Sequence, residues 1–426
     1  MKDLLRAVWT DTLRALDERL RRRMPRRIGA AQQLDAGGDV VVIAFGKAAR
    51  TMVTAWLTAP LALARQRGLV VTVAGDTTPL PPFEVVAGGH PLPTAGSFRA
   101  AARALDLCRG VRPEDHVVFL VSGGGSAMLE LPLDPSIDVD AWRTFYRALV
   151  GSGAGIDRVN RIRRRLSAVK GGRLAAAAAQ AASQTTIVVK DVPGPVEHIA
   201  SGPSGHFAGE TDSLLTDLRA VGCLAALPEP LRTRVLRHEV PPLPVVPGPR
   251  SRFAWITVLD ERDLGGAAEQ ALRARGLHVE SVGDVDDLPY ERAAAALVAR
   301  LDRLRRRHPG RPVALVTAGE LSVPLPPDPG IGGRNQQFVL ACARRIRGRP
   351  ITVLSCGSDG VDGSSPAAGA LADGTTMARA RALGLDVHDA LRRCDAFPLL
   401  HALGDTVITG PTGTNVRDLR MLVHAG

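Results

Sequence analysis

Six short segments concentrate glycine beside lysine, serine, arginine, aspartate or asparagine: FGKAA at 45–49, SGGGSA at 122–127, KGGR at 170–173, GGRNQQ at 332–337, GSDGVDG at 357–363 and TGPTGTN at 409–415. Glycine loses more conformational freedom on folding than any other residue, so such clusters mark positive φ angles or something approaching the bare backbone closely. The segments at 45–49, 122–127, 357–363 and 409–415 directly follow apolar, strand-like runs. A strand end that turns into a helix leaves backbone N–H groups unpaired and adds the favourable end of the helix dipole, which together bind anions. Several such loops imply several anionic groups.

The side chains in these loops fit that chemistry. Of 54 basic residues only Lys2, Lys47, Lys170 and Lys190 are lysines. A compact ammonium on a flexible stem suits a phosphate oxygen, whereas arginine offers a planar fork. Lys47, Lys170 and Lys190 are therefore candidates for phosphate, against the alternative of chance survival in an arginine-biased composition. Around Gly123, Gly124 and Gly125, the hydroxyls of Ser122 and Ser126 suit contacts to phosphate or carboxylate better than nucleophilic attack. Arg334 and Asn335 suit a bidentate grip on an anion, or an ordinary surface position. Asp191 follows a strand-like run, where a metal ligand, a general base or an Asx turn all fit. Asp359 and Asp362 offer hard oxygens for magnesium or caps for a following helix. His90, in GGHPLP, reads as either a catalytic or a packed loop histidine.

Several chemistries are disfavoured. GxxxxGK[ST] is absent, as is GxGxxG with an acidic residue about 20 positions on, and neither HExxH nor GxSxG is spelled. The net charge of +11 admits nucleic acid or a small anion as partner, but 4% aromatics and no recognition module argue against nucleic acid. No apolar run approaches the roughly 20 residues of a membrane helix, so no membrane partner is expected. Five scattered cysteines without CxxC fit a reducing cytoplasm.

The elements that position these loops repeat as strand, glycine loop, and alanine- and arginine-rich helix. Strands are expected at 40–45, 69–74, 116–121, 185–190, 253–259, 313–318 and 351–356, and a helix at the N-terminus with Leu5, Val8, Trp9, Leu13, Leu16 and Leu20 on one face. The alternation predicts an α/β protein of two domains, with a mostly parallel Rossmann-like N-terminal sheet and a smaller α/β C-terminal domain. Prolines in VPPLPVVPGPRS place the boundary at a linker, 241–252, between residues 1–240 and 253–426. The stretch 322–335 reads as a long functional loop of the second domain.

Taken together, FGKAA, GGHPLP, VSGGGSAML, NRIRRRLSAVKGGRLA, DVPG, IASGPS, TAGE through GGRNQQ, GSDGVDG and TGPTGTNVRDLR resemble the glycerate 2-kinase family, in family order from about residue 40 to 420. The resemblance implies an N-terminal glycerate kinase domain followed by a MOFRL domain. It implies ATP- and magnesium-dependent phosphorylation of the 2-hydroxyl of D-glycerate, or of a related small hydroxy acid, in the cleft between the domains. Lys47 would stabilise the transferring phosphoryl group, Arg334 would complete the clamp, and Asp191 would bind magnesium or orient the hydroxyl. The 122–126 loop, Lys170, Lys190, Thr412, Gly413, Thr414 and Asn415 fall to phosphates or nucleotide; His90, Glu320 and Asn335 to substrate; Asp359 and Asp362 to metal. Where family members commonly carry serine before the DVPG aspartate, this chain has Lys190, and Thr94, Gly155, Arg158, Gln337 and Pro366 stand at usually acidic positions. A paralogue with another hydroxy acid, or one binding nucleotide or an organic anion without catalysis, is the alternative, with a hydroxypyruvate reductase behind it. A homodimer is kept open as the assembly.

Overall fold

The computed structural model describes residues 1–31, 38–58, 65–207, 213–245, 252–283 and 285–426. The chain divides into two compact units, Leu20–Val258 and a second made of Met1–Arg19 with Leu259–Gly426.

The first unit is built on a six-stranded sheet of β1 (Val40–Phe45), β2 (Gln66–Thr72), β3 (Glu84–Ala87), β4 (His116–Val121), β5 (Ser183–Val189) and β6 (Arg252–Leu259), in the order β3-β2-β1-β4-β5-β6. β1 pairs in parallel with β2 and β4, β2 with β3, and β4 with β5. Every residue of β1, β4 and β5 is buried, as expected for central strands covered on both faces. One face packs Val41, Ile43, Phe45, Val117 and Phe119 against Ala100, Ala104 and Cys108 of the helix Ala95–Arg109. Small residues there let helix and sheet approach closely, and Thr94 caps that helix with reciprocal help from Ser97.

The second sheet holds β7 (His278–Val282), β8 (Val313–Gly319), β9 (Ile351–Gly357), β10 (Gly369–Asp373), β11 (Thr406–Val407) and β12 (Asp418–His424), in the order β11-β10-β9-β12-β8-β7. It is mixed: β7 and β8 are parallel, whereas β12 lies antiparallel between β8 and β9, and β10 is antiparallel to β9 and β11. The helices Tyr290–Arg307 and Arg334–Arg345 bury Leu297, Leu301, Phe338 and Val339 in its core.

The division differs from a boundary at 241–252. β6 belongs to the first sheet, and residues 1–19 belong to the second unit, where Lys2 Nζ lies 2.7 Å from Asp405 Oδ1 and Arg19 Nη1 donates to Asp263 O. Prolines mark extended chain, which need not coincide with where contacts partition; 246–251 lie outside the described residues. Leu5, Val8, Trp9, Leu16 and Leu20 are buried as one helical face, with Leu13 half-buried.

Candidate active site

In the first sheet the strand order reverses between β1 and β4. Ligands of doubly wound sheets bind outside the carboxyl ends of the strands at such a switch point. There the loops after β1 and β4 are stitched together: Lys47 N donates to Gly123 O (2.8 Å), Ala48 N to Ser122 Oγ (2.9 Å) and Ser122 N to Phe45 O (3.2 Å). Two glycines make this approach feasible. Gly46 has φ +111°, and a β-carbon there would lie 2.4 Å from Ser122 O; Gly124 has φ +82°, and a β-carbon there would lie 3.0 Å from His90 Cδ2 and 3.2 Å from Lys47 Cγ.

Half-buried Lys47, exposed His90 and Gly124 thus meet at one point. The backbone N–H groups of Gly123 and Gly124 donate to no acceptor among the described residues. Two adjacent orphan donors beside a lysine side chain form an anion-binding cradle.

The rest of the unit braces that loop. Ser126 Oγ lies 3.0 Å from Ser201 Oγ, which donates to Asn160 Oδ1 at 2.9 Å, and Tyr146 Oη donates to Ser126 O at 2.8 Å. Ala200 and Ser201 hold positive φ angles of 53° and 60°, strain of the kind that accumulates around ligand clamps. Because Val121 stands opposite Val188, Lys190 and Asp191 leave the sheet at the same edge as the 122–126 loop; both are half-buried.

Two expectations change here. The Ser122 hydroxyl faces no ligand: its side chain is buried and accepts from Ala48 N. Lys170 has no exposed surface. Its ammonium donates to Leu129 O at 2.9 Å and lies 2.8 Å from Glu130 Oε2, a carboxylate equally buried. Burial pulls the ammonium below its ordinary value, opposed by Glu130. A phosphate contact for Lys170 has no support in this geometry, and KGGR is scaffold, with Gly171 N and Gly172 N donating to Ser201 O and Gly202 O.

In the second unit the remaining three glycine segments come together. Ser364 N donates to Gly332 O (2.9 Å), Thr412 N to Asp359 O (3.2 Å), and Val416 N to Ser358 Oγ (2.8 Å). Thr412 Oγ1 donates to Ser358 O, and Thr414 N to Thr412 Oγ1 at 3.3 Å. Gly413 has φ +72° in the same loop, whose next residues Thr414 and Asn415 are largely buried. Beside these loops Arg334 opens its helix with a fully used fork. Nε donates to Asp418 Oδ2 at 2.6 Å and Nη1 to Glu320 Oε2 at 2.8 Å. Burial alone would lower this guanidinium, yet Asp418 and Glu320 carry it above its ordinary value. Burial, then Asp418, raises Glu320 against the opposing pull of Arg334.

Asp362 and Asn335 are committed to each other. Asp362 Oδ1 accepts from Asn335 N (3.0 Å) and Nδ2 (3.1 Å), and Oδ2 from Gln336 N and Nε2 (2.9 Å each). Asp362 is thus a carboxylate cap on the helix Arg334–Arg345, 2% exposed, pushed up to about 6 by burial and by Asp418. Four donors leave it nothing for a metal, and Asn335, 1% exposed, is turned inward rather than toward a substrate. Among the described residues, no group of three or more His, Cys, Asp or Glu side chains is disposed to hold a metal ion. Asp359 Oδ1 accepts from Val361 N at 3.0 Å, and Asp191 stands half-buried just past the end of β5.

Asp418 and Arg417 were not read as site residues. Their signal was the VRDLR end of the last glycine segment, where charges interrupt an apolar run.

A model for a domain of unknown function (DUF4147) matches residues 4–236, and a MOFRL family model matches 313–418. A D-glycerate 2-kinase from Thermotoga maritima is 32% identical over 385 residues, covering 89% of each chain. The chain belongs to the glycerate kinase family. A crystal structure of glycerate kinase from the same organism matches with a TM-score of 0.82 at 30% identity, over 100% of this chain and 99% of that one. A relative from Agrobacterium vitis with a provisional hydroxypyruvate reductase name is 35% identical over 406 residues, 91% of this chain and 99% of its own. As a member of the glycerate kinase family, the chain is an enzyme of the kinase class.

Proposed function

We propose that this kinase transfers the γ-phosphoryl group of ATP to the 2-hydroxyl of D-glycerate, or of a related small hydroxy acid. The observation that carries the reading is the pair of orphan N–H groups at Gly123 and Gly124 beside Lys47, at the switch point of the first sheet. The substrate oxygen forms a new bond to the γ-phosphorus as the bond to the β,γ-bridging oxygen breaks, and ADP leaves with that electron pair. Catalysis of such a transfer is mainly positioning and charge neutralisation. Lys47 neutralises charge on the transferring group, and the N–H pair holds phosphate or the substrate carboxylate. Asp191 takes the hydroxyl proton or ligates the magnesium that neutralises the phosphates. His90, at the mouth of the same loop, contacts substrate, and Lys190 adds a fixed positive charge at that sheet edge. In the second unit, Arg334 fixes Asp418 and Glu320 in place near the 412–415 loop.

The first loop of the sheet also weighs against a reductase. A dinucleotide site places GxGxxG there, whereas this chain has Gly46-Lys47-Ala48-Ala49, a single glycine and a cation. Free, buried cysteines and no helix among the described residues long or apolar enough to cross a membrane support placing the enzyme in the cytoplasm. The test is ADP release from ATP and magnesium with and without D-glycerate, followed by phosphorus NMR of the product. Glycerate-dependent turnover to 2-phosphoglycerate is expected; nucleotide binding without turnover on any hydroxy acid would defeat the reading.

A further inference from the structure

A cavity of about 540 Å³ opens in the second unit, apart from the loops above. It lies against the helix Glu261–Arg273, the end of β7 and the last residues of β8. Three observations indicate that something other than protein fills it. First, the helix carries consecutive glycines, Gly265 and Gly266, in its interior, where glycine is the poorest helix former short of proline. Neither is needed for backbone freedom or packing: among the described residues, apart from the helix's own backbone, no atom lies within 4 Å of a β-carbon built on Gly265, and only the tip of Arg19 comes near one on Gly266. Second, Arg417 lines the cavity, 4% exposed and held at φ +75°, with its Nε enclosed by protein. Third, its other nitrogens hold two cavity carboxylates in place, Nη1 on Glu261 Oε2 and Nη2 on Asp286 Oδ1, each at 2.6 Å. The second oxygen of each carboxylate remains available to accept.

The lining selects the ligand. The carboxylates of Glu261 and Asp286 are paired with Arg417 and that of Glu269 with Arg273, so the lining holds no surplus positive charge to select a phosphate or a small hydroxy-acid anion. Hydroxyl donors are matched by the carboxylates, and a flat apolar ring by the bare Gly265 surface beside Val282 and Val316. The cavity is also tied to Arg334, since Asp286 Oδ1 accepts from Glu320 N at 2.7 Å and Glu320 ion-pairs with Arg334 at 2.7 Å. We propose that this cavity receives the nucleoside of the nucleotide, with ribose hydroxyls on Glu261 and Asp286 and the base over Gly265. The ligand class rests on the phosphotransfer reading above.

The experiment is calorimetric titration of adenosine and of ADP into the full chain and into Gly265→Leu, Gly265→Ala and Glu261→Gln. Adenosine binds the parent and Gly265→Ala alike, while Gly265→Leu, whose side chain enters the cavity without meeting protein at its β-carbon, weakens it by at least about tenfold. Glu261→Gln weakens it without relying on the fold of the leucine variant. Equal adenosine affinity across all variants, or no adenosine or ADP binding to the parent, overturns the proposal. The two readings separate cleanly. ATP-dependent glycerate phosphorylation with an unchanged KM for ATP in Gly265→Leu defeats the cavity assignment alone. Adenosine binding that Gly265→Leu abolishes, without turnover in the parent, upholds the cavity and defeats the phosphotransfer reading.

Discussion

The ammonium of Lys170 and the carboxylate of Glu130 lie 2.8 Å apart with neither side chain exposed. Removing one partner of a buried pair leaves the other charge uncompensated, which typically costs about 3–5 kcal/mol, whereas replacing both by apolar groups is often neutral. Lys170→Met is therefore expected to lower unfolding free energy in urea by that order, and adding Glu130→Leu to restore most of it. KM for ATP stays at the parent value in the double variant. A stable Lys170→Met protein with impaired ATP affinity would return this lysine to the phosphate site.

Lys47 gives the opposite pattern. It is half-buried at the mouth of the cradle, where its backbone N–H donates to Gly123 O across the two loops. Lys47→Met is expected to leave the thermal transition nearly unchanged while reducing kcat/KM by roughly 100-fold or more, the scale of losing one preorganised charge donor. Lys47→Arg is not expected to rescue it, because a planar fork does not replace a compact ammonium on a stem whose Cγ lies 3.2 Å from where a Gly124 β-carbon would stand. Steady-state kinetics alongside thermal melts separates the two effects.

Much of this was legible in the sequence, and the failures share a cause. β1 and β4 read at their observed limits because strands buried on both faces are continuous apolar runs. β12 was missed although it is central to its sheet, because Asp418 and Arg420 break the apolar pattern of DLRMLVH. Their burial is sustained by partners far along the chain, Arg334 for Asp418 and Gly319 O for Arg420. The same holds in the glycine loops. Residue type showed which loops handle anions, but the inward commitments of Lys170, Asp362 and Asn335 depend on Glu130, on Gln336 and on Ser355 Oγ, and no local pattern spells those pairings.

Asp362 sets a pH dependence whose sign follows from its shift. Burial, then Asp418, raises its pKa from 3.8 in the reference state to about 6 in the fold. The folded state thus holds the proton more tightly, so the stabilising contribution is complete below about pH 4 and lost as pH rises through about 6. The change is on the order of 3 kcal/mol at about 1.4 kcal/mol per unit. Asp362→Asn keeps one acceptor oxygen for donors that now use two, so it should be less stable at every pH. Its unfolding free energy should also lose this component of slope between pH 4 and 6. Parallel urea titrations of parent and variant across that window check the claim, and identical slopes would refute it.

The two loop glycines should fail differently on substitution by alanine. Both sit at positive φ, so each substitution carries backbone strain of about 1–2 kcal/mol. At Gly46 the added methyl meets backbone, 2.4 Å from Ser122 O and 2.8 Å from Ser122 C, which cannot retreat without opening the β1 and β4 loops. At Gly124 it meets side chains, His90 and Lys47, at 3.0 and 3.2 Å. Gly46→Ala is therefore expected to destabilise the first unit by several kcal/mol, beyond the strain alone. Gly124→Ala should lower the thermal transition only modestly while displacing Lys47 and His90 from the orphan N–H pair, and so reduce kcat/KM by about tenfold or more. Melting curves and kinetics on the two variants distinguish the cases. A Gly124→Ala enzyme with parental kcat/KM would mean that Lys47 and His90 do not need their observed places beside this loop.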